Sequence, residues 1–142
     1  MKVVINACFG GFGLSNPAMI EYAKRKYDID LYFYKRIYGE NDSKTYVKID
    51  PEVSKNGWYD MSTKDLGETF EGDFTDYFYY ESFYEDESRA CPILVDIVER
   101  MGKEASGSCA NLVIVEIPDD VEYVIEEYDG NEHIAEKHRT WR

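Results

Sequence analysis

Residues 111–137 read NLVIVEIPDDVEYVIEEYDGNEHIAEK, and this stretch decides the fold class. Three runs rich in β-branched and aromatic residues are separated only by Pro118-Asp119-Asp120 and by Asp129-Gly130-Asn131. They span Asn111 to Ile117, Val121 to Tyr128 and Glu132 to Lys137. The Asp-Gly dipeptide between alternating residues is a hairpin signal, because the favoured two-residue turn needs positive φ at both central positions.

N-terminal to this stretch, Ile93, Leu94, Ile97, Val98 and Met101 recur at helical spacing and predict a helix over Pro92 to Lys103, stopped by Gly102 or Gly107. At the other end of the chain, KVVINAC (2–8) reads as a buried strand closed by glycines. Ser15 or Asn16 then caps a helix with Pro17 in its first turn. That helix runs to about Lys26 and ends on Lys24, Arg25 and Lys26, the charges that a helix C-terminus favours. Strands follow at about Asp30 to Arg36 and Thr45 to Ile49, around the turn-like Gly39-Glu40-Asn41-Asp42. The expected architecture is a single α+β domain over residues 1–142, a mostly antiparallel β-sheet packed with two α-helices. Residues 51–88 are polar, acidic and aromatic without clean periodicity. They read as an insertion that elaborates the domain, with strand around Phe78 to Phe83.

The chain carries 16 Lys and Arg against 29 Asp and Glu, a formal charge of −13. Such a field repels nucleic-acid backbones and anionic membranes, so neither is an expected partner. No stretch approaches the roughly 20 apolar residues of a membrane span, and Met1-Lys2 leads straight into a strand with no signal segment, which points to the cytoplasm. Cys8, Cys91 and Cys109 read as buried small hydrophobes rather than disulfides. With two His they have no zinc spacing, so no metal and no cofactor is expected.

Two features invite a ligand. Phe9-Gly10-Gly11-Phe12-Gly13 joins a strand to a helix, where backbone N–H groups and the positive helix end attract anions. It lacks the third glycine of a dinucleotide fingerprint and the lysine of a P-loop. A tight turn explains the glycines equally well, but not Phe9 and Phe12, either of which can stack on a base. The second feature is the C-terminal His138-Arg139-Thr140-Trp141, which offers a planar cation for phosphate and a stacking face; a Trp141 that plugs the core and an Arg139 paired with a surface acid explain it equally well. Arg89, just ahead of the helix at Pro92, is placed to add a phosphate corner. The run from Asp73 to Glu87 alternates acids with aromatics and reads as an edge strand kept soluble by charge, as an oligomer contact, or as a nucleic-acid mimic. A Cys8 nucleophile with His133 or His138 as base is the one catalytic pairing on offer. Cys8 at the end of an apolar strand is more simply core, and the chain reads as a non-enzyme.

Val4-Ile5-Asn6-Ala7-Cys8-Phe9-Gly10-Gly11-Phe12-Gly13-Leu14-Ser15 resembles the opening of small phage and prophage proteins. The ending from Ile117-Pro118-Asp119-Asp120-Val121 to Arg139-Thr140-Trp141 resembles their C-terminus, and about two thirds of the chain is covered. The likeness is to the Thoeris anti-defence sponges. That family binds cyclic ADP-ribose isomers made by bacterial TIR proteins and withholds them, uncleaved, from the NADase effector, as dimers or higher oligomers. The resemblance implies that Arg89 and Arg139 hold the phosphates, with aromatic and polar groups near the base, here Phe9, Phe12, Glu122 and Trp141. Residues 51–87 do not match the family pattern. The alternative is an acidic inhibitor that binds a host defence protein directly as a DNA mimic.

Overall fold

A computed structural model describes residues 1–137 and shows an α+β domain whose strand pairs are all antiparallel. Strand β1 (Lys2–Asn6) leads into helix α1 (Asn16–Tyr27), then strands β2 (Tyr32–Tyr38), β3 (Lys44–Ile49), β4 (Asp60–Ser62), β5 (Thr69–Glu71) and β6 (Phe78–Tyr79). Helix α2 (Pro92–Met101) is followed by β7 (Leu112–Glu116), β8 (Tyr123–Tyr128) and β9 (Asn131–Glu136). The strands fall into three sheets rather than one continuous sheet: β1 with β7, β8 with β9, and a five-stranded sheet in the order β5-β3-β2-β4-β6.

Local chemistry accounts for the boundaries. Ser15 is the cap of α1: its side chain accepts from the Ala18 N–H, and Pro17 fills the first turn. Asp28 ends the helix in the left-handed region at φ 57°. The β8–β9 hairpin turns on Asp129 and Gly130, with φ of 52° and 87°, and closes on the pair Tyr128 and Asn131. Helix α2 ends sooner than the periodicity predicts, because Gly102 diverts the chain into a 3-10 turn over 102–105.

The predicted insertion is built into the sheet. Its β4 and β6 extend the sheet beyond β2, and its β5 extends it beyond β3. Strand is confined to Phe78–Tyr79 rather than running to Phe83, and β6 forms one sheet edge.

Three apolar clusters hold these parts together. The first lies between β1, α1 and α2 around Val4, Tyr22, Leu94 and Ile97, and Phe83 inserts into it. The second joins Ala23 of α1 to Phe33 and Tyr79 on the five-stranded sheet. The third sits around Tyr34, Tyr46 and Phe74, where Phe74 stacks on Tyr46 at 4.5 Å. Thus Phe74, Tyr79 and Phe83 of the acidic-aromatic run are core side chains, each worth roughly 1.5–3 kcal/mol of burial.

Candidate functional site

A cleft of about 300 Å³ opens between the glycine loop, α1 and the β4–β6 side of the five-stranded sheet. Its floor is apolar, from Leu14, Met19, Phe33, Met61 and the buried Phe83. Aromatic rings form its rim: Trp58 and Tyr59 precede β4, while Tyr80 and Tyr84 follow β6. Trp58 is 93% exposed and Tyr84 85%, although both belong to a concave wall. A smaller hollow of about 150 Å³ adjoins it, walled by Gly10 to Leu14 and by Gly107 to Ala110. Phe12, Gly13, Leu14, Gly57 and Trp58 line both, so they form a shared partition.

The partition is fixed by a buried polar cluster. The Arg89 guanidinium, 3% exposed, donates to both carboxylate oxygens of Glu132 at 2.6 and 2.7 Å. It also donates to the Phe83 carbonyl at 2.6 Å and to the Val4 carbonyl at 3.4 Å. Its carbon lies 3.8 Å from the centre of the Phe12 ring, a close cation–π contact. Glu132 also accepts from the Asn6 N–H at 2.8 Å. The buried Asn6 amide in turn donates to the Cys8 and Gly130 carbonyls and accepts from the Asn111 N–H. Two charges removed from water are tolerated because every oxygen and nearly every N–H is satisfied.

The other residues singled out in the sequence are placed differently. Arg89 turns away from the first turn of α2 and toward β1 and β9, so the expected phosphate corner at that helix end does not form. Phe12 lines the cleft, its ring tilted against Phe83 at 5.3 Å and beneath Arg89. Phe9 lies outside, 59% exposed and edge-on to Tyr128 at 6.5 Å. Glu122 is exposed beside Asp86 and Glu87 in a separate shallow surface, away from the aromatic rim. His138, Arg139 and Trp141 lie outside the described residues. Cys109 is exposed rather than core, because the 107–110 turn carries it to the surface beside Gly10, and Cys8 and Cys91 are only half-buried.

The first turn of α1 offers no anion site. The Asn16 N–H donates to the Lys55 carbonyl, Ala18 to Ser15 Oγ and Met19 to the Ser15 carbonyl, while Pro17 has none to give. Within the loop, the Gly10 N–H donates to the Asp129 carbonyl at 3.1 Å. The N–H groups of Gly11, Phe12 and Gly13 have no protein acceptor among the described residues. Phe12 and Gly13 lie on the partition between the two hollows, and Gly11 lines the smaller one.

No known family, curated protein or solved structure matches this chain.

Trp58, Tyr59, Tyr80 and Tyr84 escaped the sequence reading. Tyr80 and Tyr84 stood inside the acidic-aromatic run, where exposed and buried rings alternate without a usable period. Trp58 carried a usable signal: a tryptophan following Asn56-Gly57 in a polar segment has no periodic core to join.

Proposed function

We propose that this protein is a non-catalytic binder that takes a nucleotide into the aromatic cleft and holds it intact. The carrying observation is the rim of Trp58, Tyr59, Tyr80 and Tyr84 over an apolar floor, a concave surface suited to a flat heteroaromatic ring. The N–H groups of Gly11 to Gly13, without a protein acceptor among the described residues and lying in the smaller hollow or on the partition, supply donors for a phosphate attached to that ring. Arg89 acts by holding Phe12 and the β9 turn in place, since Glu132 already neutralises it. The likeness to the Thoeris anti-defence sponges makes a cyclic ADP-ribose isomer the ligand to try first, and withholding it from a bacterial NADase effector the role.

Trp58 and Trp141 are the two tryptophans in the chain, so a Trp141→Phe protein reports on Trp58 alone. Cyclic ADP-ribose isomers should quench or blue-shift its emission on binding, and Trp58→Ala should weaken binding by about 1–3 kcal/mol, the scale of one base–aromatic stack. Unchanged affinity in Trp58→Ala would remove the cleft as the site.

A second reading, a direct inhibitor of a host protein, draws on the same exposed rings. Trp58, Tyr80 and Tyr84 beside acidic residues also compose a protein-contact surface. Deleting residues 73–87 cannot test it, because Phe74, Tyr79 and Phe83 belong to the core. A Tyr80→Ser/Tyr84→Ser protein leaves those three residues in place. Loss of anti-defence activity in that protein with nucleotide affinity retained would favour the inhibitor.

A further inference from the structure

The cleft holds two charged side chains, Arg89 and Glu81, and they are not equivalent. Arg89 is cancelled by a bidentate contact with Glu132. Glu81, half-buried between the rim residues Tyr80 and Tyr84, accepts from the Tyr79 hydroxyl at 2.9 Å and from the Tyr27 hydroxyl at 3.4 Å. Among the described residues no Lys, Arg or His pairs with it. The nearby Lys26 ammonium donates instead to the Tyr22 hydroxyl at 2.8 Å. Burial and the contact with Glu81 push the Tyr79 phenol up, so it stays a neutral donor to that side chain. Glu81 is thus an acidic side chain lining the cleft with no cationic partner among the described residues, beside four aromatic rim residues and in a molecule of formal charge −13.

Resting on the reading of this cleft as the ligand site, we infer that it selects a positively charged heteroaromatic ring, such as an N-alkylated pyridinium or purinium, with Glu81 as the counter-ion. A neutral ring of the same shape gains stacking and apolar burial alone. A cationic ring adds attraction to the faces of Trp58 and the tyrosines, and to a carboxylate whose two phenol partners leave lone pairs free. The acidic field, a handicap for an anionic ligand, draws such a ring inward. A ligand that joins a cationic ring to phosphate then meets opposite charges at the two ends of one site, Glu81 at the rim and the glycine-loop N–H groups at the partition.

The test pairs 1-methylnicotinamide with nicotinamide, which differ by one methyl group and one positive charge. Each is titrated into the full chain carrying Trp141→Phe, with Trp58 emission as the readout. The cation should bind about tenfold more tightly. Raising the salt concentration should shrink that preference, and Glu81→Gln should abolish it, bringing the two affinities together. Equal affinities in the unmodified cleft, or a preference that survives Glu81→Gln, would overturn the inference. Because the first comparison needs no change at Glu81, a misfolded Gln variant cannot rescue it. Equal binding of both rings that a calorimetric titration shows to be lost in Trp58→Ala leaves the cleft standing and removes only the charge selection. If neither ring nor any cyclic ADP-ribose isomer binds, both readings fail together.

Discussion

At the scale of single residues, the contact that organises the site is Arg89 with Glu132. Removing one partner of a buried ion pair strands the other charge away from water. Arg89→Ala should therefore cost about 3–5 kcal/mol in a denaturant titration. A loss under about 1 kcal/mol would show that the pair is not buried in solution. Any ligand affinity lost in that variant has to be read against its stability. Gly130 is a second sensitive position. A Cβ there would overlap the Gly11 backbone nitrogen, and Gly130 has a φ of 87°. Gly130→Ala should lower stability by roughly 1–3 kcal/mol and displace the glycine loop, seen as weakened nucleotide binding. Arg89 and Phe12 were legible in the sequence as important residues, and they do meet. The pairing of Arg89 with Glu132 was not legible, because the two lie 43 positions apart and 29 acids compete for the assignment.

At the scale of elements, local rules read well wherever one local signal decides. Ser15 capping, the Asp129-Gly130 turn and the apolar face of α2 each depend on a few neighbouring residues, and each stands close to where the pattern places it. Ser15→Ala should cost about 1 kcal/mol for the lost cap. It should cost somewhat more in total, because the same hydroxyl donates to the Glu104 carbonyl at 2.6 Å. Thermal unfolding of the two proteins measures the difference. Residues 51–88 read poorly because β4, β5 and β6 are two or three residues long, too short for alternation to register. Their rings divide between core and cleft according to partners elsewhere in the chain: Phe74 meets Tyr46, whereas Trp58 stacks on no ring among the described residues. That is why most of the candidate site went unseen while most of the fold was visible.

At the scale of the whole molecule, excess negative charge is offset locally rather than globally. Asp96 receives hydrogen bonds from Arg25 and Arg100, Asp65 from Lys48, and Asp119 from the N-terminal ammonium. Each contact holds its carboxyl below the usual aspartate range. Groups with depressed folded-state values contribute stability above their unfolded value and lose it as pH falls toward the folded one. Stability should thus decline on acidification below about pH 4. The decline should be shallower in Asp96→Asn, as acid titrations followed by circular dichroism can show. These contacts are exposed, so added salt should weaken them as well.

The central claim is that an acidic, aromatic-walled cleft stores a nucleotide without altering it. Calorimetric titration of the intact chain with cyclic ADP-ribose isomers, followed by heat release and mass analysis of the ligand, tests this most directly. The account predicts saturable binding that Trp58→Ala weakens, and recovery of the ligand at its original mass. Recovery of a cleaved product, or no binding of any isomer, would contradict it.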